Sequence, residues 1–370
     1  MKTLRLLIQR EILKATLWTL MGFVALLTFF DLLDELKSIG RASVTQAGDA
    51  YSLQDIATVL LLGLPSHAYT LLPICLLIGG VFVMSRMAQQ SEFTVLRMGG
   101  LGPGRALRAL VSVGTLLAAA TFVLGDYAVP IMEKQQALLK ANFSGRISTG
   151  RTGAWLRERQ NEHTRAVNVR ALSADGLAED LRIFELDAGG RLLREITARQ
   201  ADITGDGQWV LRGATERRYP TGEQASIRLQ RVAELTWPTN ISADMISAEL
   251  LKNSRMSALN LYQYVQHLQA NDQNAQRFEI EFWRKVFYPL SCLVMAVLVL
   301  PFGYLHFRGG GIAAYVFLGV MTGISFYLLN NLFGFIGNIH GWLPWLAAAA
   351  PSLIYSGLSL SAFAWMVARR

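Results

Sequence analysis

The groups that could do chemistry are few and scattered. His67, His163, His267, His306 and His340 stand apart from one another, none within an HExxH or similar metal-ligand spacing, and no GxSxG elbow offers an activated serine. Cys75 and Cys292 both fall inside apolar runs, where they read as small buried side chains rather than as a disulfide or a metal pair. The glycines of "RGGGIAAY" lack the lysine and strand context of a phosphate cradle, and the chain contains no Gly-Lys pair. No catalytic residue, cofactor or metal is therefore expected. If the chain moves anything uphill, the energy must come from a partner.

One polar stretch remains without an obvious purpose. "SRMAQQSEFTVLRMGGLGPGR", residues 85 to 105, separates two runs apolar enough to cross a membrane, yet it holds Glu92 and three arginines. Glu92, Leu96 and Gly100 recur at helical spacing with Phe93 and Val95 beside them, which predicts a short helix with an apolar side and one acid. Such a helix either lies on the bilayer, where anionic lipid repels the acid, or docks into a protein groove, where the acid pairs with a base. Docking accounts better for the acid.

The elements that must position this helix are membrane spans. With 52% hydrophobic and 17% charged residues, the 370-residue chain is too apolar for an ordinary soluble protein and too charged to be membrane throughout. Apolar runs near residues 15–33, 69–84, 106–128, 286–304, 312–336 and 344–367 approach or exceed what a bilayer core requires, giving six spans in two sets of three. The N-terminal run is followed by "FFDLLDELKSIG" with no small-residue cleavage site, so it reads as an uncleaved span rather than a secretory signal. Pro65 and Pro73 before and within the second run predict an interfacial helix, a break, and then the span proper. "GGVF" and "LGVMTGIS" supply small residues for close helix packing, and Asn330 and Asn331 within the fifth run predict helix-to-helix hydrogen bonds.

Charge gives the expected orientation. Lys2, Arg5, Arg10 and Lys14, then Arg86, Arg97, Arg105 and Arg108, then Arg308, Arg369 and Arg370 make 11 cations on one side, against Lys37 and Arg41 on the other. Both termini then lie inside. The long insertion between the third and fourth runs faces out. Residues 153–240 hold 13 Arg and 13 Asp plus Glu, so the net charge of +8 lies outside that segment, as basic flanks at a membrane surface require. Within the insertion, "EDLRIFELD", "RLLREITARQADIT", "QWVLRGATERRY" and "EQASIRLQRVAELTW" alternate apolar and polar residues between turns, which predicts a small all-β domain, a sandwich or an open roll.

"LPSHAYTLLPICLLIGGVFVMSRMAQQSEFTVLRMGG", "LNLYQYVQHLQANDQNAQRFEIEFWRKVFYPLS" and the three-plus-three arrangement around an outer β domain resemble the LptF/LptG family of lipopolysaccharide-export permeases across essentially the whole chain. "LLDELKSIG" leans towards the LptG branch. The resemblance implies a polytopic α-helical membrane protein with an inserted periplasmic all-β jellyroll-like domain. Its divisions would be residues 1–129 with three spans and a cytoplasmic coupling helix at about 86–100, residues 130–275 with the β domain and its helical return, and residues 276–370 with the last three spans.

It further implies a Gram-negative inner-membrane location with cytoplasmic termini, an LptF-type permease as heterodimer partner, two LptB-type ATPase subunits, a single-span LptC-type protein and an LptA-type periplasmic bridge. In this reading Glu92, Phe93, Leu96 and Arg97 form the ATPase-coupling contact. Cations near the outer interface, Lys37, Arg41, Lys134 and Lys140, would hold lipid phosphates, although ordinary head-group contacts explain any one of them, with Arg284 and Lys285 weaker candidates because Glu281 lies one turn away. Ile183, Phe184, Ile196, Val210 and Ile227 would line an acyl-chain groove in the β domain, although core packing explains any one of them. Asp31 stands where the family pattern carries a base and receives no ligand role. It could bind through a divalent cation, pair with a base of the partner subunit, or mark a lipid contact moved to Lys37. Two rivals remain: a scaffold or signalling subunit that couples an ATPase to an outer partner without moving lipid, and a lipid-modifying enzyme, disfavoured because no acid, base and nucleophile converge.

Overall fold

The computed structural model describes residues 2–40, 50–100, 102–144, 153–160, 163–172, 177–187, 189–204, 207–219, 227–242, 245–246, 256–271, 273–304 and 311–368. Arg41 and Arg308, both invoked above, lie outside these residues, as do Arg369 and Arg370. Among the described residues six helices are long and apolar enough to cross a membrane: Arg5–Leu36, Leu53–Gln89, Pro103–Lys140, Gln276–Tyr304, Ile312–His340 and Pro344–Trp365. The described residues divide into two compact units. One comprises Met1–Leu33, Gly63–Val129 and Glu279–Arg370; the other comprises Asp34–Leu62 and Pro130–Phe278.

The helical unit is built on one apolar core. Leu76, Leu77, Val81 and Met84 of the second span, Leu110 and Val113 of the third, and Cys292, Met295 and Val299 of the fourth are buried together. Close approach depends on small residues. A Cβ on Gly79 would stand 2.7 Å from the backbone nitrogen of Thr16, so the first and second spans touch backbone to backbone. Gly323 of the fifth span likewise admits Ile74, as the small-residue stretches predicted.

Polar ties connect the spans. Arg86 donates to Glu11 (2.8 Å) and Gln9 donates to Ser112, joining the first span to the second and third. Thr121 meets the Cys292 thiol, and Ser325 meets the Tyr355 hydroxyl. Asn331 accepts from Arg284 (2.9 Å), a helix-to-helix bond of the kind its depth predicts.

The second helix does not break. Leu53–Gln89 is continuous with Pro65 and Pro73 inside it, contrary to the expected interruption. Proline removes one backbone donor, and a membrane helix survives where side chains serve the carbonyls nearby. The carbonyl that Pro73 leaves without its backbone donor is that of Tyr69; one residue on, the Tyr288 hydroxyl donates to the Thr70 carbonyl at 2.6 Å. The third span contains a π-helical turn, Leu124–Ala128, and Lys285 donates to its Gly125 carbonyl.

The other unit carries six strands: β1 (Ala154–Gln160), β2 (His163–Leu172), β3 (Ala178–Leu186), β4 (Leu192–Thr204), β5 (Gln208–Arg218) and β6 (Arg228–Pro238). Each pairs antiparallel with the next, in the order β1 to β6. One face is apolar. Leu156, Val167, Ile183 and Ile196 lie opposite one another in register and are almost wholly buried.

The sheet rolls. The Arg165 guanidinium of β2 lies 4.5 Å from the Trp237 ring of β6, four strands away, where a flat sheet would place them roughly 19 Å apart. Arg165 also donates to the Pro238 carbonyl, and buried Glu158 of β1 accepts from the Thr239 hydroxyl and the Asn240 amide. Of the sandwich and the open roll, the strands form the roll.

Candidate functional site

Within the polar stretch a seven-residue helix runs over Glu92–Met98, shorter than the expected 86–100 because residues up to Gln89 complete the second long helix and Ser91 turns the chain. Two left-handed residues bracket it: Ser91 with φ 58° before it and Gly100 with φ 94° after it. The Arg105 guanidinium donates to the Gly100 carbonyl and holds the exit turn. The helix can enter and leave abruptly because both turns reverse the chain within a few residues.

Its two sides have different jobs. Phe93 is 1% exposed and sits edge-to-face on Tyr304 at the end of the fourth span, with ring centroids 4.9 Å apart. Its ring and the Met84 side chain both border Gly303, and Leu96 packs against the same core. Glu92, Val95 and Met98 point outward, Val95 and Met98 being 60% and 78% exposed. The outward stripe therefore runs at three-residue spacing through Glu92, Val95 and Met98. Helical spacing predicts Leu96 beside Glu92, whereas the Leu96 side chain is turned into the chain's own core. Met98 was missed, and its signal was the i+3 spacing from Val95. Arg97 lies on the helix, and its side chain is outside the described atoms.

Several of the cations expected at the outer interface have acid partners. Lys37 pairs with Asp34 at 2.7 Å, both side chains being about three-quarters exposed, a contact too wet to hold either strongly. Lys140 pairs with Glu35, which also accepts from the Tyr51 hydroxyl at 3.0 Å. Burial, and then the nearby Glu35 carboxylate, push the Tyr51 phenol well above its ordinary value. Lys134 is exposed on the helix Val129–Ser144. Arg284 donates to Glu281 as well as to Asn331, in keeping with the neutralisation expected from that acid.

Asp31 finds a base within its own chain. Its carboxylate lies 2.7 Å from the His67 Nε2 of the second span. No local pattern signals this pairing, because the two residues are 36 positions apart and His67 carries no motif.

The five proposed acyl-groove residues separate. Ile183 and Ile196 are register partners on the buried face. Phe184, next to Ile183 on the strand, must point to the opposite face, where it stacks on Trp155. Val210 stands between buried Trp209 and Leu211 and so faces away from them, and Ile227 is 59% exposed just before β6. The period of two along each strand divides them between the two faces.

Residues 6–366 match the family described as "Lipopolysaccharide export system permease LptF/LptG". The chain belongs to the LptF/LptG family. It is 26% identical over 344 residues to "Lipopolysaccharide export system permease protein LptG" of Haemophilus influenzae, covering 92% of this chain and 91% of that protein. It is 24% identical over 366 residues to the protein of the same name from Escherichia coli strain K12, covering 98% and 97% respectively. Six membrane helices with an antiparallel sheet inserted between the third and fourth are thus the architecture of this LptF/LptG member, a multi-pass membrane protein. Among the described residues no group of His, Cys, Asp and Glu is arranged to hold a metal.

Proposed function

We propose that the chain is the LptG-type permease subunit of a lipopolysaccharide exporter, which takes the lipid from the outer leaflet of the inner membrane and passes it towards a periplasmic β bridge. The family match carries the export reading, and the names of both relatives favour the LptG branch. Cytoplasmic termini and a periplasmic β unit follow from the distribution of lysine and arginine. The subunit hydrolyses nothing itself. Its partners would be an LptF-type permease, two LptB-type ATPases, a single-span LptC-type protein and an LptA-type bridge.

The short helix is the observation that gives this reading a mechanism. Glu92, Val95 and Met98 present one acid and two apolar contacts outward, a stripe suited to a groove with a basic edge in the ATPase. Phe93 and Leu96 hold the helix to the second and fourth spans through Met84, Gly303 and Tyr304. A displacement of the docked helix is then delivered to two spans at once, because a packed aromatic ring transmits force without yielding. ATP binding would close the ATPase pair, shift the helix and favour the state in which the cavity between the permeases is collapsed, pressing lipid outward. Lys37 would meet a lipid phosphate, since its side chain and that of its partner Asp34 are each about three-quarters exposed. Lys134, Lys140 and Arg41 would extend that contact, while Ile183 and Ile196 belong to the apolar face along which acyl chains would pass.

The test is reconstitution with an LptF-type permease and the ATPase, comparing wild type with Glu92→Lys. Charge reversal on an exposed residue should leave this chain folded but lose the ATPase on purification, or uncouple ATP hydrolysis from lipid release. Intact assembly and release would overturn the docking role of the helix.

A further inference from the structure

The face of the sheet opposite the apolar one carries a groove of about 490 Å³, within the size range of small-ligand sites. Cross-strand register lays out its floor. Trp155, Asn168, Arg182, Thr197 and Thr215 lie opposite one another from β1 to β5. Beyond that row, Arg170, Asp180, Arg199 and Gly213 line the same groove. Gly213, with φ 64°, has no side chain to fill the space, and Asp180 holds a left-handed φ of 51°, so the strands bend where the groove opens.

The charges are unbalanced locally. Asp180 pairs with Arg170 at 3.5 Å. Among the described residues, neither Arg182 nor Arg199 has an ion-pair partner, and both are exposed. Two guanidinium groups on diagonal positions of neighbouring strands repel one another mildly, and a bound anion relieves that repulsion. At the other end, Trp155 is 51% exposed and stacks on Phe184, their planes 15° apart and their centroids separated by 6.0 Å. This is a flat apolar wall beside a cationic floor, with amide and hydroxyl groups between.

We propose that this groove binds an anionic saccharide, a sugar chain bearing phosphate or carboxylate groups. Arginine forks recognise the anionic groups, the Trp155 face takes the apolar face of a sugar ring, and Asn168, Thr197 and Thr215 face its hydroxyls. A nucleic acid would need a wide basic field, and residues 153–240 are charge-balanced at 13 Arg against 13 acids. A bare anion would leave the aromatic wall without a use. The identification of this saccharide with the polar part of the exported lipopolysaccharide rests on the export reading, and places sugar and acyl chains on opposite faces of one sheet.

Calorimetric titration of the full chain in nanodiscs tests the proposal with three probes. They are the water-soluble core oligosaccharide released from lipopolysaccharide by mild acid, the same oligosaccharide after dephosphorylation, and inorganic phosphate. The phosphorylated oligosaccharide should bind saturably and weaken with salt. Arg182→Gln with Arg199→Gln should weaken it at least tenfold with unchanged circular dichroism and melting, and Trp155→Ala should weaken it independently. Because Trp155 is half exposed, the second variant remains informative if the first disturbs folding. Absence of saturable binding, equal binding by these variants, or equal binding of inorganic phosphate would overturn the proposal. ATP-dependent lipid release by the wild-type complex is measured separately, so failure of the groove leaves the export reading standing and failure of release leaves the groove standing.

Discussion

Replacing Phe93 by alanine should release the short helix while leaving the spans assembled. The ring is 1% exposed and meets Tyr304 edge-to-face. A buried aromatic side chain removes roughly 200 Å² from water, worth about 5 kcal/mol at ~25 cal/mol per Å² as an upper bound, with about 1 kcal/mol more from the ring pair. Partial collapse of the cavity brings the expected cost to about 3–5 kcal/mol. That loss falls first on the docking of a seven-residue helix, which is too short to be stable alone. Even the lower figure raises the undocked population by about two orders of magnitude. Hydrogen exchange by mass spectrometry is the assay, read on the amides of Glu92–Met98 and compared with the second span. Exchange should accelerate about a hundredfold in the short helix, the second span staying protected, and the ATPase should be recovered poorly. Unchanged protection of Glu92–Met98 in Phe93→Ala would refute the anchoring argument, and with it the route by which the helix moves the spans.

Two further outcomes follow from packing and from titration. Gly79→Ala should sharply lower the folded yield, since its new Cβ would meet backbone atoms of Ala15 and Thr16 that cannot move aside; Gly22→Ala, with nothing within 4 Å, should behave as wild type in fluorescence-detected size exclusion. In the β-bearing unit, burial disfavours the charged form of His267 and outweighs the pull of Glu158, so its folded pKa lies below the ordinary 6.5. Below pH 6.5 the unfolded chain then binds more protons than the folded one, and stability present above that pH is lost as the pH falls. Melting of this unit between pH 8 and 5.5 should decline less steeply in His267→Gln than in wild type; an identical decline would exclude His267 as the cause.

Much of the architecture was written in local pattern. Six apolar runs give six spans because a bilayer leaves the chain little choice once about 20 apolar residues follow one another. Strand periodicity predicts the sheet, and the helical spacing of Glu92, Leu96 and Gly100 predicts the short helix, because both are properties of a few consecutive residues. What consecutive residues cannot encode was decided by packing. Pro65 and Pro73 predict a break, and the helix is continuous through both, with Tyr288, 218 positions after Thr70, bonded to the Thr70 carbonyl within the same stretch. Asp31 took His67 as its base, and Lys140 took Glu35, because tertiary structure brings together groups far apart in the chain. Ile183 and Phe184 were grouped by their apolar character and divided by the strand's pleat. The groove of Arg182, Arg199 and Trp155 exists only in the register of four strands, each residue being an unremarkable polar or aromatic position in its own segment. Sequence determined which elements form, since hydrophobic period and length act locally; the tertiary structure alone decided which charges meet and which surface remains to bind, since those depend on distances that the order of residues does not contain.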